Sequence, residues 1–212
     1  NTVTGGEQQF SVAEGTTVSL TIAADAGFHL GGVTNNGEDV TEQLDEQGRY
    51  TFNIIEDVTV AAAFGQTFLP FSVATYGKGV AVFNGTVIRD TTTTFQIPEG
   101  STAKVYVKAD PYNAIEEVFI VDVADGAGVY YDLENDLVND TVTIENITES
   151  LRVEVNFEPL TVPLTITSEG QGTVRAQGSG VVLLGESGTY ETTVEAGSSA
   201  TYVFRPAEHY YI

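Results

Sequence analysis

The densest cluster of chemically capable side chains in this sequence is a run of acids, Asp132, Glu134, Asp136 and Asp140, lying between Tyr131 and Val142. Spaced carboxylates on a loop offer the oxygen ligands that Ca2+ gathers, about six to eight at a time. The run lacks the Asp-x-Asp-x-Asp-Gly order of a calcium loop, and acids are frequent throughout the chain, so a solvated loop is the ordinary reading and Ca2+ the sharper one. Beside it stand Tyr130 and Tyr131, which with Tyr112 and Phe119 concentrate aromatic side chains in the middle of the sequence. Tyrosines flanked by acids suit a sugar- or protein-binding surface, although strand alternation turns one of each adjacent pair inward.

Other constellations point away from catalysis. The two histidines, His29 and His209, fall in one kind of loop and in no His-x-His or Glu-x-x-His spacing, which argues against zinc binding and base catalysis. No Gly-x-Ser-x-Gly elbow occurs, and Gly178-Ser-Gly180 and Gly185-Glu-Ser-Gly188 read as turns. Thr91 to Thr94 is one strand's worth of threonine, which fits a sheet edge better than an ice- or glycan-binding array. The sequons at Asn84, Asn139 and Asn146 read as ordinary turn and strand composition. Lys104 and Lys108 alternate with Val105 and Val107 and so face outward, and Lys78 sits in a turn, so no lysine is placed for an isopeptide. The expectation is a non-enzymatic chain with no catalytic residues and no cofactor beyond the Ca2+ alternative.

The elements that must position these residues are strands. With 212 residues, the length allows one large β domain or two to three small ones. Thirty acids against eight basic residues give a net charge of −22, a field that repels nucleic acid and anionic membranes. Hydrophobic residues make up 42% of the chain, enough for packed cores, yet no window approaches the roughly 18 apolar residues of a spanning helix. Cysteine is absent, so burial and hydrogen bonding must stabilise the fold without disulfides. No leader-like segment or initiator Met opens the sequence, which reads as a mature or excised piece. Alternating Thr, Val and Tyr predict strands, and Asn36-Gly37 and Asn84-Gly85 predict tight hairpin turns. The nearest approach to a helix, Val40 to Leu44, is one turn long.

An internal repeat organises these strands. Phe10 to Ile22 aligns with Phe95 to Val107 and with Thr192 to Phe204, with Gly15, Gly100 and Gly197 in register. After each glycine the apolar positions alternate: Val18, Leu20 and Ile22, then Ala103, Val105 and Val107, then Ala200, Tyr202 and Phe204. Their glycines are expected where a Cβ would obstruct the backbone. Gly77-Lys-Gly79 recurs as Gly170-Gln-Gly172, Pro70 as Pro163 and Phe64 as Phe157, all at one constant offset. Two closing strands, Val58 to Phe64 and Leu151 to Phe157, each lead through a short linker, Gly65 to Leu69 or Glu158 to Val162, into a proline-marked strand. The predicted organisation is an all-β array of tandem small β-sandwich or β-grasp-like modules: 1–66 without its opening hairpin, 67–159 complete, and 160–212 without its second half. Cutting from a longer array accounts for such partial modules, and completion between neighbouring chains by strand donation is the alternative.

Val33-Thr-Asn-Asn-Gly-Glu-Asp-Val-Thr41, then Tyr50 to Ile54 and Glu56 to Val60 running to Phe64, resembles the divergent internalin-B-type repeat. Glu14 to Thr21, Ala26-Gly27-Phe28, Ile144 to Glu149 and Leu151 to Phe157 fit the same pattern. The Trp that often follows the Gly-Tyr/Phe element is missing, and Val121 to Gly128 replaces the Asn-Gly-Glu-Asp-Val-Thr stretch in the second copy, implying a restructured loop. The resemblance implies an exported bacterial surface protein: a secreted, acidic stalk, spacer or adhesin fibre segment serving cell adhesion. Its partners would be other surface domains or chains, with no nucleic acid and no membrane insertion. The alternative function is direct binding of a carbohydrate or host protein through the loop 121–140.

Overall fold

The computed structural model describes residues 5–177, 182–184 and 188–212, with 182–184 described by backbone alone. The predicted turns at Gly178-Ser-Gly180 and at 185–187 lie outside the described residues. The fold is all-β: no α-helix occurs among the described residues, and the turn expected near Val40 is the short 3-10 helix Thr41–Gln43. The residues form two compact units, one holding the chain up to Pro70 together with Gln96–Thr102 and Glu145–Glu149, the other holding Phe71–Phe95, Ala103–Ile144 and the chain from Ser150 on.

The first unit contains β1 (Thr17–Thr21), β2 (Phe28–Asn35), β3 (Glu38–Asp39), β4 (Arg49–Asn53) and β5 (Val60–Gln66). β1 pairs with β4, and β2 lies between β3 and β5. Asn36 and Gly37 both adopt positive φ, 50° and 84°, which produces the predicted hairpin between β2 and β3. Val33, Val40 and Tyr50 form the core, with Ile22, Leu30, Leu44, Phe52 and Val60 packed around it. The Tyr50 and Phe52 rings stack at 5.0 Å, and the Tyr50 hydroxyl accepts a hydrogen bond from Asn35 Nδ2 at 2.9 Å.

Then follow β6 (Phe68–Tyr76), β7 (Gly79–Phe83), β8 (Thr86–Ile88), β9 (Thr92–Pro98), β10 (Ala103–Ala109), β11 (Asn113–Asp122), β12 (Gly128–Tyr130), β13 (Thr141–Ile144) and β14 (Leu151–Pro159). They form a five-stranded sheet, β12-β11-β14-β6-β9, and a four-stranded sheet, β13-β10-β7-β8. Aromatic rings span the two sheets: Phe83 of β7 lies 5.0 Å from Phe71 of β6 and 4.9 Å from Phe95 of β9. The predicted inward faces are buried: Ala103, Val105 and Val107 on β10, and Leu151, Val153, Val155 and Phe157 on β14. β14 also runs parallel to β6, from Leu151 opposite Phe71 to Asn156 opposite Tyr76. The threonine run leads into β9, an edge strand as expected.

The last strands of the second unit are β15 (Thr161–Ser168), β16 (Gly172–Ala176), β17 (Val182–Leu184), β18 (Gly188–Glu195) and β19 (Tyr202–Pro206). β15 pairs with β18, and β16 lies between β17 and β19. Here the alternation does not produce burial, for Phe204 is half-exposed and Ala200 exposed.

The repeat is visible in the backbone. The turn that closes Asp25 onto Phe28 recurs between Asp110 and Asn113 and between Ala207 and Tyr210, each with a hydrogen bond of 3.0 Å. At its third position Gly27, Tyr112 and His209 all take positive φ: 82°, 67° and 70°. Gly15, Gly100 and Gly197 likewise share φ values of 81°, 76° and 73°. A Cβ on Gly15 would meet open space, so the left-handed backbone is what these glycines supply there, not the expected close approach. Gly197 differs, because the ring of Tyr112 lies against it. The linkers are shorter than expected, since β5 and β6 are separated by Thr67 alone and β14 and β15 by Leu160 alone.

Candidate functional site

The stretch 121–140 is ordered by its own side chains. Asp122 N–H donates to Ala127 C=O at 2.8 Å, while the carboxylates of Asp122 and Asp125 accept from the amides of Ala124 and Ala127 at 2.8 and 2.7 Å. These bonds shape the turn between β11 and β12, which replaces the Asn-Gly hairpin of the first copy. Gly128 opens β12 against Phe119, and a Cβ there would lie 2.5 Å from the Phe119 ring. Tyr130 then stacks on that ring with centroids 4.7 Å apart and remains 71% exposed. Tyr131 is half-buried, and its hydroxyl donates to Asp136 C=O at 2.9 Å while accepting from Thr143 N–H at 3.1 Å. Of the two predicted ligand-binding tyrosines, Tyr131 is therefore occupied in holding the loop to β13, and Tyr130 lies along a flat surface.

The acids Asp132, Glu134, Asp136 and Asp140 are not brought together into a cation site. Asp132 turns its Oδ1 onto the amides of Glu134 and Asn135, both at 3.0 Å, and its Oδ2 onto Asn135 Nδ2 at 2.7 Å. The Asn135 side chain, joined by these amides, holds the Asp132 carboxyl below the usual carboxylate range. Asp140 has positive φ, 56°, and its carbonyl accepts from Val107 N–H at 2.7 Å. Among the described residues no three His, Cys, Asp or Glu side chains converge as a metal site. The reason is local: an Asp followed by Asn three residues later closes an Asx-type turn and spends its lone pairs on its own backbone.

The remaining candidates are dispersed. His29 lies in β2, not in a loop, with its ring over Gly65 and Nδ1 3.5 Å from Thr67 Oγ1, and His209 is exposed beside Glu208. Lys104 and Lys108 face outward and Lys78 is exposed. An ion pair that residue spacing did not flag is Arg89 with Asp110: Nη1 to Oδ2 at 2.6 Å and Nη2 to Oδ1 at 3.1 Å. The Arg89 hydrogen bond, with the nearby charges of Arg89 and Lys78, holds the Asp110 carboxyl low against a small opposing desolvation. Its only sequence trace is that Asp110 opens the thrice-used turn.

The arrangement that recurs is the handover from a closing strand to the next opening strand. Thr67 N–H donates to Gly27 C=O and Thr67 C=O accepts from Glu99 N–H, both at 2.9 Å. At the equivalent place in the second unit, Leu160 N–H donates to Tyr112 C=O at 2.9 Å and Leu160 C=O accepts from Ala196 N–H at 2.7 Å. Both carbonyls that receive the linker amide belong to positive-φ residues, Gly27 and Tyr112. A single linker residue is thus held from both sides. An open cleft borders the second handover, lined by Lys78, Asp110, Tyr112, Pro159, Glu195 and Ser198. A further cleft lies among Thr167 to Val174, Phe204, Arg205 and Tyr211. Neither borders Tyr130 or Tyr131.

Compared with known protein families, with curated proteins and with solved structures, the chain has no match. Among the described residues no helix is long and apolar enough to cross a membrane.

Proposed function

We propose that this chain is a non-enzymatic spacer: a segment of a stalk or adhesive fibre on a bacterial cell surface, built from repeated β units whose junctions are held at a set angle. The observation that carries the reading is the repeated handover, in which one residue, Thr67 or Leu160, is fixed by the same pair of backbone hydrogen bonds. A flexible tether needs many free rotors, whereas a single residue bonded at both its N–H and its C=O leaves few. The acidic surface fits the same role, because a net charge of −22 keeps neighbouring copies apart in solution. That the candidate carboxylates are engaged by their own turns supports the non-enzymatic reading. The resemblance to internalin-B-type repeats, with its extracellular setting and surface partners, belongs to this proposal.

The chain lacks cysteine, so spin labels can be placed uniquely. With labels at Lys104→Cys and Glu191→Cys, both exposed and in the second unit, a single narrow distance distribution is expected. Inserting two glycines after Leu160 should broaden it. A native distribution as broad as that of the insertion variant overturns the spacer reading.

A further inference from the structure

The first unit repeats some of the scaffold of the second, but without two of its strands. The frame is the same: Gly15 N–H donates to Ile54 C=O at 2.7 Å, as Gly100 N–H does to Ile147 C=O, and Ile54 and Ile147 return bonds to Thr16 and Ser101 at 2.9 and 3.0 Å. In the nine-stranded region β14 lies between β11 and β6, and β10 between β13 and β7. Their counterparts in the first unit are half-paired, β5 with β2 alone and β1 with β4 alone. Both open edges are those that the hairpin β6–β7 covers in the other copy.

Side chains record the same gap. Val155 and Phe157 are buried on β14, whereas Ala62 and Phe64, at the same places on β5, are exposed. Residues 7–13 correspond to β9, which pairs with β6, yet they form no strand and leave Phe10 and Val12 53% and 42% exposed. An open edge is ordinarily protected by charge, by proline or by a bulge against further pairing. β5 carries neither charge nor proline, in a chain with thirty acids. The opening strands Phe68–Tyr76 and Thr161–Ser168 are equally free of charge, so a strand of that type can approach β5 without the repulsion the rest of this surface exerts.

We propose that the open face formed by β1, β5 and residues 7–13 is a docking site for a β-hairpin of the Phe68–Ile88 type, supplied in trans by a neighbouring chain that carries the same repeat. Its first strand adds in parallel to β5 in the register seen between β14 and β6, placing the incoming Val73 opposite Val60 and Thr75 opposite Ala62. Its second strand adds to β1 as β7 adds to β10. Residues 7–13 then gain the neighbour that β9 has, and Phe10, Val12 and Phe64 are covered. This site exists whether or not the handovers are rigid.

The probe is a synthetic peptide of residues 67–90, added to the intact chain and read by hydrogen exchange. Exchange of the amides of 7–13, 17–21 and 60–66 is expected to slow at least tenfold with the peptide and to stay unchanged with a scrambled peptide of the same composition. Ala62→Asp, at an exposed position, should abolish this protection while the chain alone melts at the same temperature. The proposal is overturned if the peptide protects none of these segments, or if Ala62→Asp binds it as well as the native chain. It is also overturned if β5 becomes protected with rising chain concentration and no peptide, because the occupant is then a folded second copy.

Discussion

Residues 67–159 and residues 160–212 carry the same strand signature and do opposite things with it. On β10 the positions Ala103, Val105 and Val107 are all but sealed from solvent; on and just before β19 their counterparts Ala200, Tyr202 and Phe204 run from half-buried to exposed. The difference is not in the alternation, which is equally regular. β10 has strands on both sides and an opposing five-stranded sheet, whereas β19 is an edge strand of a three-stranded sheet. Burial is thus a property of how many strands assemble, and a period-two pattern names the face that can be buried, not the face that is.

Equivalent substitutions test this most severely. Val107→Asp places an unpaired carboxylate among fully buried neighbours and should destabilise the second unit by several kcal/mol, enough to lose its cooperative melt. Phe204→Asp, the same position in the repeat, should change stability by no more than about 0.5 kcal/mol in chemical denaturation. Equal losses from the two would mean that the face of β19 is covered in solution. Between these extremes lies Thr75, which is fully buried with its hydroxyl unpartnered. Thr75→Val removes that orphan at nearly constant volume, so a gain of about 1 kcal/mol is expected; a loss of that size would show that the hydroxyl has a partner.

The smallest expected effect is electrostatic. Because Arg89 holds the Asp110 carboxyl below its ordinary range, the pair's contribution is present above the unfolded carboxylate pKa and disappears as pH falls through the lowered folded value. Asp110→Asn should therefore lower the melting temperature slightly at neutral pH and leave it unchanged in strong acid. A difference that persists in acid would assign the effect to packing at the turn.

Much of the fold is legible in the residues. The strands, the Asn36-Gly37 turn, the outward lysines and the inward face of β14 follow from alternation and turn chemistry. The parallel neighbour of β14 is not legible, because pairing partners distant in sequence leave no local pattern. Linker length is hidden for another reason: Gly65, Gln66, Phe68 and Leu69 have no side-chain signature that separates strand from connection, and backbone bonds at Thr67 decide it. At the candidate site, the acids near Asp132 are visible as residues but not as a turn. Asn135, three positions on, is the signal that reveals it.

The parallel pairing of β6 and β14 has a mechanical meaning. Chain enters this region at the start of β6 and leaves at the end of β14, and because the two strands point the same way, those points lie at opposite ends of one ladder. Tension along the chain pulls the neighbours past each other, so the rungs from Leu151–Phe71 to Asn156–Tyr76 bear load together. An antiparallel hairpin pulled from its open end would instead unzip, each rung breaking before the next is loaded. The same strands that close the core are thus arranged to resist stretching in shear.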